Sequence, residues 1–287
     1  MANTFVLELE GKPAAKLLSL DSTGINTVAL SQLQPLNIKS QKIVTGMPGE
    51  VKFTFGTDAS RLLLDWLVNS AGSMRQMSGA INVLDARSTL QHRIEFFDAV
   101  VTSFLLPGVD VFSKSAVHFA ASFRPHKLAH TAGSNKLTTD SSVLPAQKPW
   151  NAANFKFRID GVPLDESAVT KVSAFGLKTS ISAYYSGEGR FPELESTRSS
   201  YSNIAITVPK SKAAGVLDWA EEVITGKSLT TETYGSLQYL GPGNKFEYYS
   251  VGFKGLGIAS TTISKSSSDM DKSVIAELYY NSVKLSY

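Results

Sequence analysis

The stretch SKAAGVLDWAEEVITG, Ser211–Gly226, decides how the chain is organised, because its centre occurs twice. Leu217, Asp218 and Trp219 repeat Leu64, Asp65 and Trp66, and each trio follows an alternating apolar run at the same distance. That run is Val51, Phe53, Phe55 in one place and Ile204, Ile206, Val208 in the other. A spacing shared across strand, turn and helix marks an internal repeat. Phe5, Leu7, Leu9, Glu10, Gly11 and Pro13 align in the same way with Phe155, Phe157, Ile159, Asp160, Gly161 and Pro163. The 287 residues therefore read as two copies of one domain, 1–130 and 154–287, joined by a linker at 131–153.

Composition narrows the function. An apolar content of 43% fits an ordinary globule, and each copy is long enough to bury its own core. Cysteine is absent, which removes disulfides, thiolate zinc sites and a cysteine nucleophile. Met1 to Leu9 has no basic flank and is interrupted by Glu8, unlike a secretory signal. No apolar run reaches the roughly 20 residues of a membrane helix, so the expectation is a soluble protein with no membrane partner. The net charge of +3 is spread without a basic stripe, which argues against sequence-specific nucleic-acid binding.

Within each copy the periodicity predicts strands and one helix. Phe5–Glu10, Val51–Phe55, Ile81–Leu84, Arg93–Val100 and Val117–Phe123 read as strands. Asp58 is the expected N-cap of a helix whose face is Ala59, Leu62, Leu63, Trp66 and Leu67, with Gly72 as its stop. Ser31–Gly49 reads as a long irregular loop, and Ser186–Ser200 is its counterpart. Leu128–Ala153 loses periodicity and begins the linker. In the second copy Ser202–Val208 is a strand, Pro209 and Ser211 open the helix, and Val216, Trp219, Ala220, Val223 and Ile224 form its apolar face up to Gly226. Gly241, Pro242 and Gly243 turn a hairpin, and a last strand runs over Val274–Leu285.

A search for catalytic chemistry returns little. Gly226, Lys227 and Ser228 imitate the tail of a phosphate loop, but its first glycine position is Glu221 and the segment follows a helix. Gly187 with Gly189, and Gly255 with Gly257, lack the dinucleotide pattern, and no serine has a nucleophile elbow. His126 and His130 have metal-pair spacing only if their segment is helical, which Pro125 opposes. Asp269 and Asp271 in the Ser-rich turn resemble a calcium loop but read as a solvated turn. The expectation is a protein that is not an enzyme, with no catalytic, cofactor or metal site.

Several motifs of the second copy are similar to one known family. Val172, Ser173, Phe175 and Gly176 lead to a strand, and Tyr185, Gly187, Gly189 and Pro192 follow. Then come the Ile204 strand, Leu217-Asp218-Trp219, Gly226 with Lys227, and Val274–Leu278. Together they resemble the tube proteins of contractile tails: myophage tail tubes, tubes of extracellular contractile injection systems and, more distantly, the haemolysin-coregulated protein of type VI secretion. In the first copy Gly46, Pro48, Gly49, the Val51 strand and Leu64–Trp66 carry the resemblance. It implies a mainly β fold, two tandem split β-barrels each with one short helix, and rings of six barrels that stack into a conduit inside a sheath. It also implies inter-subunit contacts through the long loops, here Gly46, Met47, Pro48 and Gly49 and then Tyr185, Gly187, Gly189, Arg190 and Pro192. Implied partners are further copies of the chain, sheath and baseplate or spike proteins, and DNA or protein cargo passing without sequence-specific binding. The implied location is a virion tail or injection particle assembled in the bacterial cytoplasm.

Ordinary members of that family have one domain. Doubling suggests that three chains supply the six barrels of a pseudo-sixfold ring. A trimeric hub or tube initiator at the baseplate and a six-chain assembly are the related alternatives. A split-barrel flavin enzyme and a two-domain binding module are the readings of other classes.

Overall fold

The computed structural model describes residues 4–22, 25–33, 39–70, 75–132, 144, 146–184, 193–226, 232–264 and 272–287, with the side chains of 22–47 outside that description. The first copy runs β1 Thr4–Leu9, β2 Lys12–Ser22, β3 Ile25–Leu33, β4 Lys39–Pro48, β5 Val51–Phe55 and α1 Arg61–Asn69. It continues with β6 Met77–Leu84, β7 Leu90–Leu106, β8 Val109–Asp110, β9 Phe119–Arg124 and β10 Lys127–Ala132. The second copy runs β11 Phe155–Ile159, β12 Lys171–Val172, β13 Phe175–Tyr184, β14 Glu193–Tyr201, β15 Ile204–Pro209 and α2 Ala214–Thr225. It ends with β16 Thr233–Leu240, β17 Glu247–Ile263, β18 Ser273–Tyr279 and β19 Ser282–Ser286. The fold is mainly β, with two tandem barrels, as the resemblance implies, and one α-helix per copy among the described residues, as the periodicity predicts.

Contacts divide the chain into two compact units, and each draws on both copies. The first unit holds Met1–Phe104, Phe119–Gln147 and Lys178–Ser200. Its barrel has the order β7-β6-β1-β2-β5-β9 and closes where β9 pairs with β7. Alternate residues point inward as the pleat requires, so Val51, Phe53 and Phe55 are buried while Lys52 is exposed. Phe123 is the hub of this core. Its ring lies 4.6 Å from Phe96, 5.7 Å from Trp66 and 5.8 Å from Phe53. The expectation that Trp66 is core therefore holds, and its indole N–H donates to the Arg75 carbonyl at 2.8 Å.

The second unit holds Leu105–His118, Lys148–Leu177 and Tyr201–Tyr287. Its barrel runs β11-β16-β17-β18-β15-β12-β8. No described strand pair closes β8 onto β11, and the segment before β11 spans the gap. Asp110 N–H donates to the Ala152 carbonyl at 3.0 Å, and Leu240 N–H to the Asn154 carbonyl at 2.9 Å. Trp150 seals the same place, edge-on to Tyr239 at 5.2 Å. The Tyr239 hydroxyl in turn donates to the Pro107 carbonyl at 2.9 Å.

Several local expectations change. The N-cap of α1 is Ser60, whose Oγ accepts from Leu63 N–H at 3.3 Å. Asp58 sits too early for that role. It is buried and accepts from Lys16 N–H instead, and burial raises its carboxyl pKa. Gly72 lies outside the described residues. Pro209 ends β15, and a 3₁₀ turn at Lys210–Lys212 leads into α2 without a side-chain cap. Gly226 does close α2, in the left-handed region at φ 66°, donating to the Glu222 and Val223 carbonyls. The buried stripe of α2 is Gly215, Val216, Trp219 and Ala220, while Ile224 is 82% exposed. A Cβ on Gly215 would come within 2.3 Å of the Pro163 carbonyl oxygen. Ile224, nine residues on, lies on the opposite side of the helix from Gly215 and faces out.

The segment read as the irregular loop Ser31–Gly49 is largely strand, since β3 and β4 pair from Ile25↔Pro48 to Leu33↔Lys39. In its counterpart, β14 occupies 193–201. Leu128 belongs to β10, which pairs with β7, so His126 and His130 are not on a helix. The last strand breaks at Tyr280 and Asn281 into β18 and β19.

Gly79 gives a test of the packing. A Cβ there would lie 2.1 Å from the Glu8 carbonyl oxygen and 2.7 Å from Phe96 Cζ, whereas one on Gly252 would meet only the Lys284 carbonyl oxygen, at 3.9 Å. Gly79→Ala should destabilise the fold by about 1–3 kcal/mol in denaturant titration. Gly252→Ala should leave the midpoint nearly unchanged, and equal effects would contradict this packing.

Candidate assembly edges and their hairpin roots

The feature most suited to a function in this fold is a strand edge. In the first unit β6 pairs with β7 along one edge as far as Met77↔Ala99. β10 takes the opposite edge over His92↔Ala132 to Phe97↔Lys127, and β9 carries that edge on. β7 therefore outruns β6, and its remaining length is taken by β13, giving the order β14-β13-β7. Ala99, Val100, Val101, Thr102 and Phe104 are all buried there. A hairpin that belongs to the second copy in sequence thus extends the first copy's barrel sheet.

β17 stands where β7 stands, but its edge differs. β16 pairs with it only as far as Thr233↔Leu256. β19 and then β18 take the other edge, the latter over Gly257↔Tyr279 to Ile263↔Val274. Beyond Leu256 no described strand lies on the β16 side. Ala259, Ser260, Thr262 and Ile263 are exposed, Ile263 at 48%. The β3–β4 hairpin, which corresponds to β13–β14, forms a two-stranded sheet of its own among the described residues.

Both hairpins are tied to their barrels at the same three positions. Val51 pairs with Phe123 and Ile204 with Leu278, so Glu50 corresponds to Asn203 and Ser122 to Glu277. At the root of β4 the Glu50 carboxylate accepts from Ser122 Oγ at 2.8 Å and from Thr102 Oγ1. The Ser122 hydroxyl also lies 2.6 Å from Thr102 Oγ1 and 2.7 Å from Ser103 Oγ. At the root of β14 the Glu277 carboxylate accepts from Asn203 Nδ2 at 2.9 Å and from Ser260 Oγ at 3.2 Å. One carboxylate ties each root, placed before β5 in one copy and on β18 in the other. Two serine hydroxyls fasten the second root further, Ser202 Oγ accepting from Gly176 N–H and Ser173 Oγ from Ala205 N–H.

Burial pushes the Glu50 carboxyl up, but its Thr102 and Ser122 hydrogen bonds, with Lys52 and Arg124, outweigh this and hold it below the ordinary value. Lys52 Nζ lies 3.6 Å away, in an exposed pair that contributes little by itself.

Of the residues singled out in the sequence, Gly46, Met47 and Pro48 lie in β4, paired with Thr27, Asn26 and Ile25. Gly49 follows, buried, next to the Glu50 clamp. Tyr185, Gly187, Gly189, Arg190, Pro192, Lys227, Asp269 and Asp271 lie outside the described residues. Leu64, Trp66 and Trp219 are buried in their helices, Leu217 is half-buried, and Asp65 and Asp218 face outward. The clamps were not visible in the unaligned sequence. Superposing the copies would have shown polar residues recurring at 50/203, 103/260 and 122/277. Among the described residues no group of three or more His, Asp or Glu side chains is placed to hold a metal ion. No helix among them is long and apolar enough to cross a membrane.

No protein-family model matches the sequence, and no curated protein matches it. Among solved structures, the chain is similar to one in the six-fold symmetrised baseplate of the anti-feeding prophage. Identity is 12% and the TM-score 0.39, over 46% of this chain and 90% of that one. It is similar to a chain of the extended sheath-tube complex of PVC, an extracellular contractile injection system, with 14% identity and a TM-score of 0.39. That match covers 45% of this chain and 88% of the other. It is also similar to Hcp1 from Flavobacterium johnsoniae, with 13% identity and a TM-score of 0.31, over 46% of this chain and 97% of that one.

The Glu50 clamp predicts a pH dependence. A carboxylate whose folded pKa lies below its unfolded value stabilises the fold above the unfolded pKa, and that contribution is lost as pH falls through the folded one. Wild type should therefore be more stable than Glu50→Gln at neutral pH, and the gap in denaturation midpoint should close as pH drops below about 4. A gap that does not vary with pH would show that the carboxylate charge plays no part.

Proposed function

We propose that this chain is a structural subunit of the inner tube of a contractile tail or injection system, built into rings whose barrels supply the wall of a conduit. The observation that carries the reading is the β13–β14 hairpin of one copy completing the barrel sheet of the other. The chain thus already joins repeats by strand addition. An exposed strand edge invites pairing with another chain, and stable proteins cover, blunt or close such edges. A head-to-tail contact that closes on itself makes a ring.

In this reading three chains supply six barrels, alternate junctions lying within and between chains. The role is mechanical, and DNA or protein cargo passes without specific binding. The segments around Gly46–Gly49 and Tyr185–Pro192 are the inter-subunit contacts, and sheath and baseplate proteins surround the ring. The tandem copies, 1–130 and 154–287, are joined by the 131–153 linker. The motif resemblance at Leu64–Trp66 and Leu217–Trp219 supports the same family.

Mass measurement in solution, joined to electron microscopy, tests this. The expected particle contains three chains and has an open lumen some tens of ångströms wide. Compact single chains at high protein concentration would contradict the proposal.

A further inference from the structure

We infer that residues 257–263 of β17 receive strand β3 from the β3–β4 hairpin of a second copy of this chain. The inference rests on the ring reading and specifies which strand meets which.

The argument is one of correspondence between the copies. β13, not β14, is the strand that lies against β7. β13 follows β12, and β12 pairs with β15 at Val172↔Ile206, as β2 pairs with β5 at Leu20↔Phe53. The strand after β12 is thus the counterpart of the strand after β2, which makes β3 equivalent to β13. β7 and β17 are equivalent by their partners, since each follows the strand after the helix and pairs with the last two strands of its copy. The occupied junction in the first unit is β13 on β7. Its counterpart is β3 on β17, and among the described residues both members lack that partner within the chain.

The surface agrees with this. Ala99, Val100, Val101, Thr102 and Phe104 are buried beside β13, whereas Ala259, Ser260, Thr262 and Ile263 of β17 are exposed. The Glu277 clamp holds the edge in place, because Ser260 on this segment donates to it. A second copy is the occupant because the hairpin that fits is part of this chain. Main-chain hydrogen bonds would give the affinity, as in strand addition generally.

The absence of cysteine allows a clean test. One cysteine is placed on one face of β3 (Thr27→Cys, Ala29→Cys or Ser31→Cys) and one on the β17 edge (Ser260→Cys or Thr262→Cys). Each double variant is oxidised in the full chain, with the single variants as controls, and solution mass and microscopy check that assembly matches wild type. The expected result is that at least one register converts most of the protein into disulfide-linked dimers and closed trimers. Singles should give only background. Wild-type-like rings with no cross-link in any register would overturn the strand assignment and leave the ring reading standing. Cross-linking without rings would support the junction and defeat the ring, and neither rings nor cross-links would defeat both.

Discussion

Main-chain amides and carbonyls at the rim of a sheet must find partners, and this chain is arranged around that requirement. In the first unit the six strands close on themselves, and a hairpin from the other copy covers the overhang of β7. In the second unit Ala152 and Asn154 accept from Asp110 and Leu240 where strand pairing fails. After these partners are counted, the far half of β17 still has an open side among the described residues. The cost of a buried unpaired amide and the hazard of an exposed one both favour covering that side with another strand.

The two copies solve one mechanical problem with different chemistry. A two-stranded hairpin keeps a fixed place on its barrel only if its base is held. Glu50 does this in one copy by accepting from hydroxyls on β7 and β9, and Glu277 does it in the other by accepting from Asn203 and Ser260. The carboxylate has changed strands while the tie has kept its position. The rest of each barrel is ordinary aromatic packing, around Phe123 in the first unit and around Phe253 in the second. The Phe253 ring lies 5.4 Å from both Phe175 and Tyr280.

Elements with one buried face were legible in the sequence. β5 and β15 alternate cleanly because their inward residues fill the barrels, and Gly226 marks the end of α2 because only glycine adopts that backbone without strain. The turn at Gly241–Gly243 was legible for the same kind of reason. The hairpins were not. β14 reads ELESTRSSY and is mostly exposed, so pairing without burial leaves no period of two to detect. β10 escaped notice in the same way. Ile224 misled because its spacing fits the apolar stripe of α2, while the buried face runs through Gly215, Val216, Trp219 and Ala220, on the other side of the helix. The clamps join residues from the middle and last thirds of each copy, a relation that only register reveals.

Hydrogen exchange on the assembled protein compares amides 257–263 with amides 99–104 of the same chain. Strand addition at both junctions predicts slow exchange in both segments, with 257–263 turning fast once the particle is dissociated. Fast exchange at 257–263 in the intact particle would show that this side of β17 stays open to water and would contradict the account.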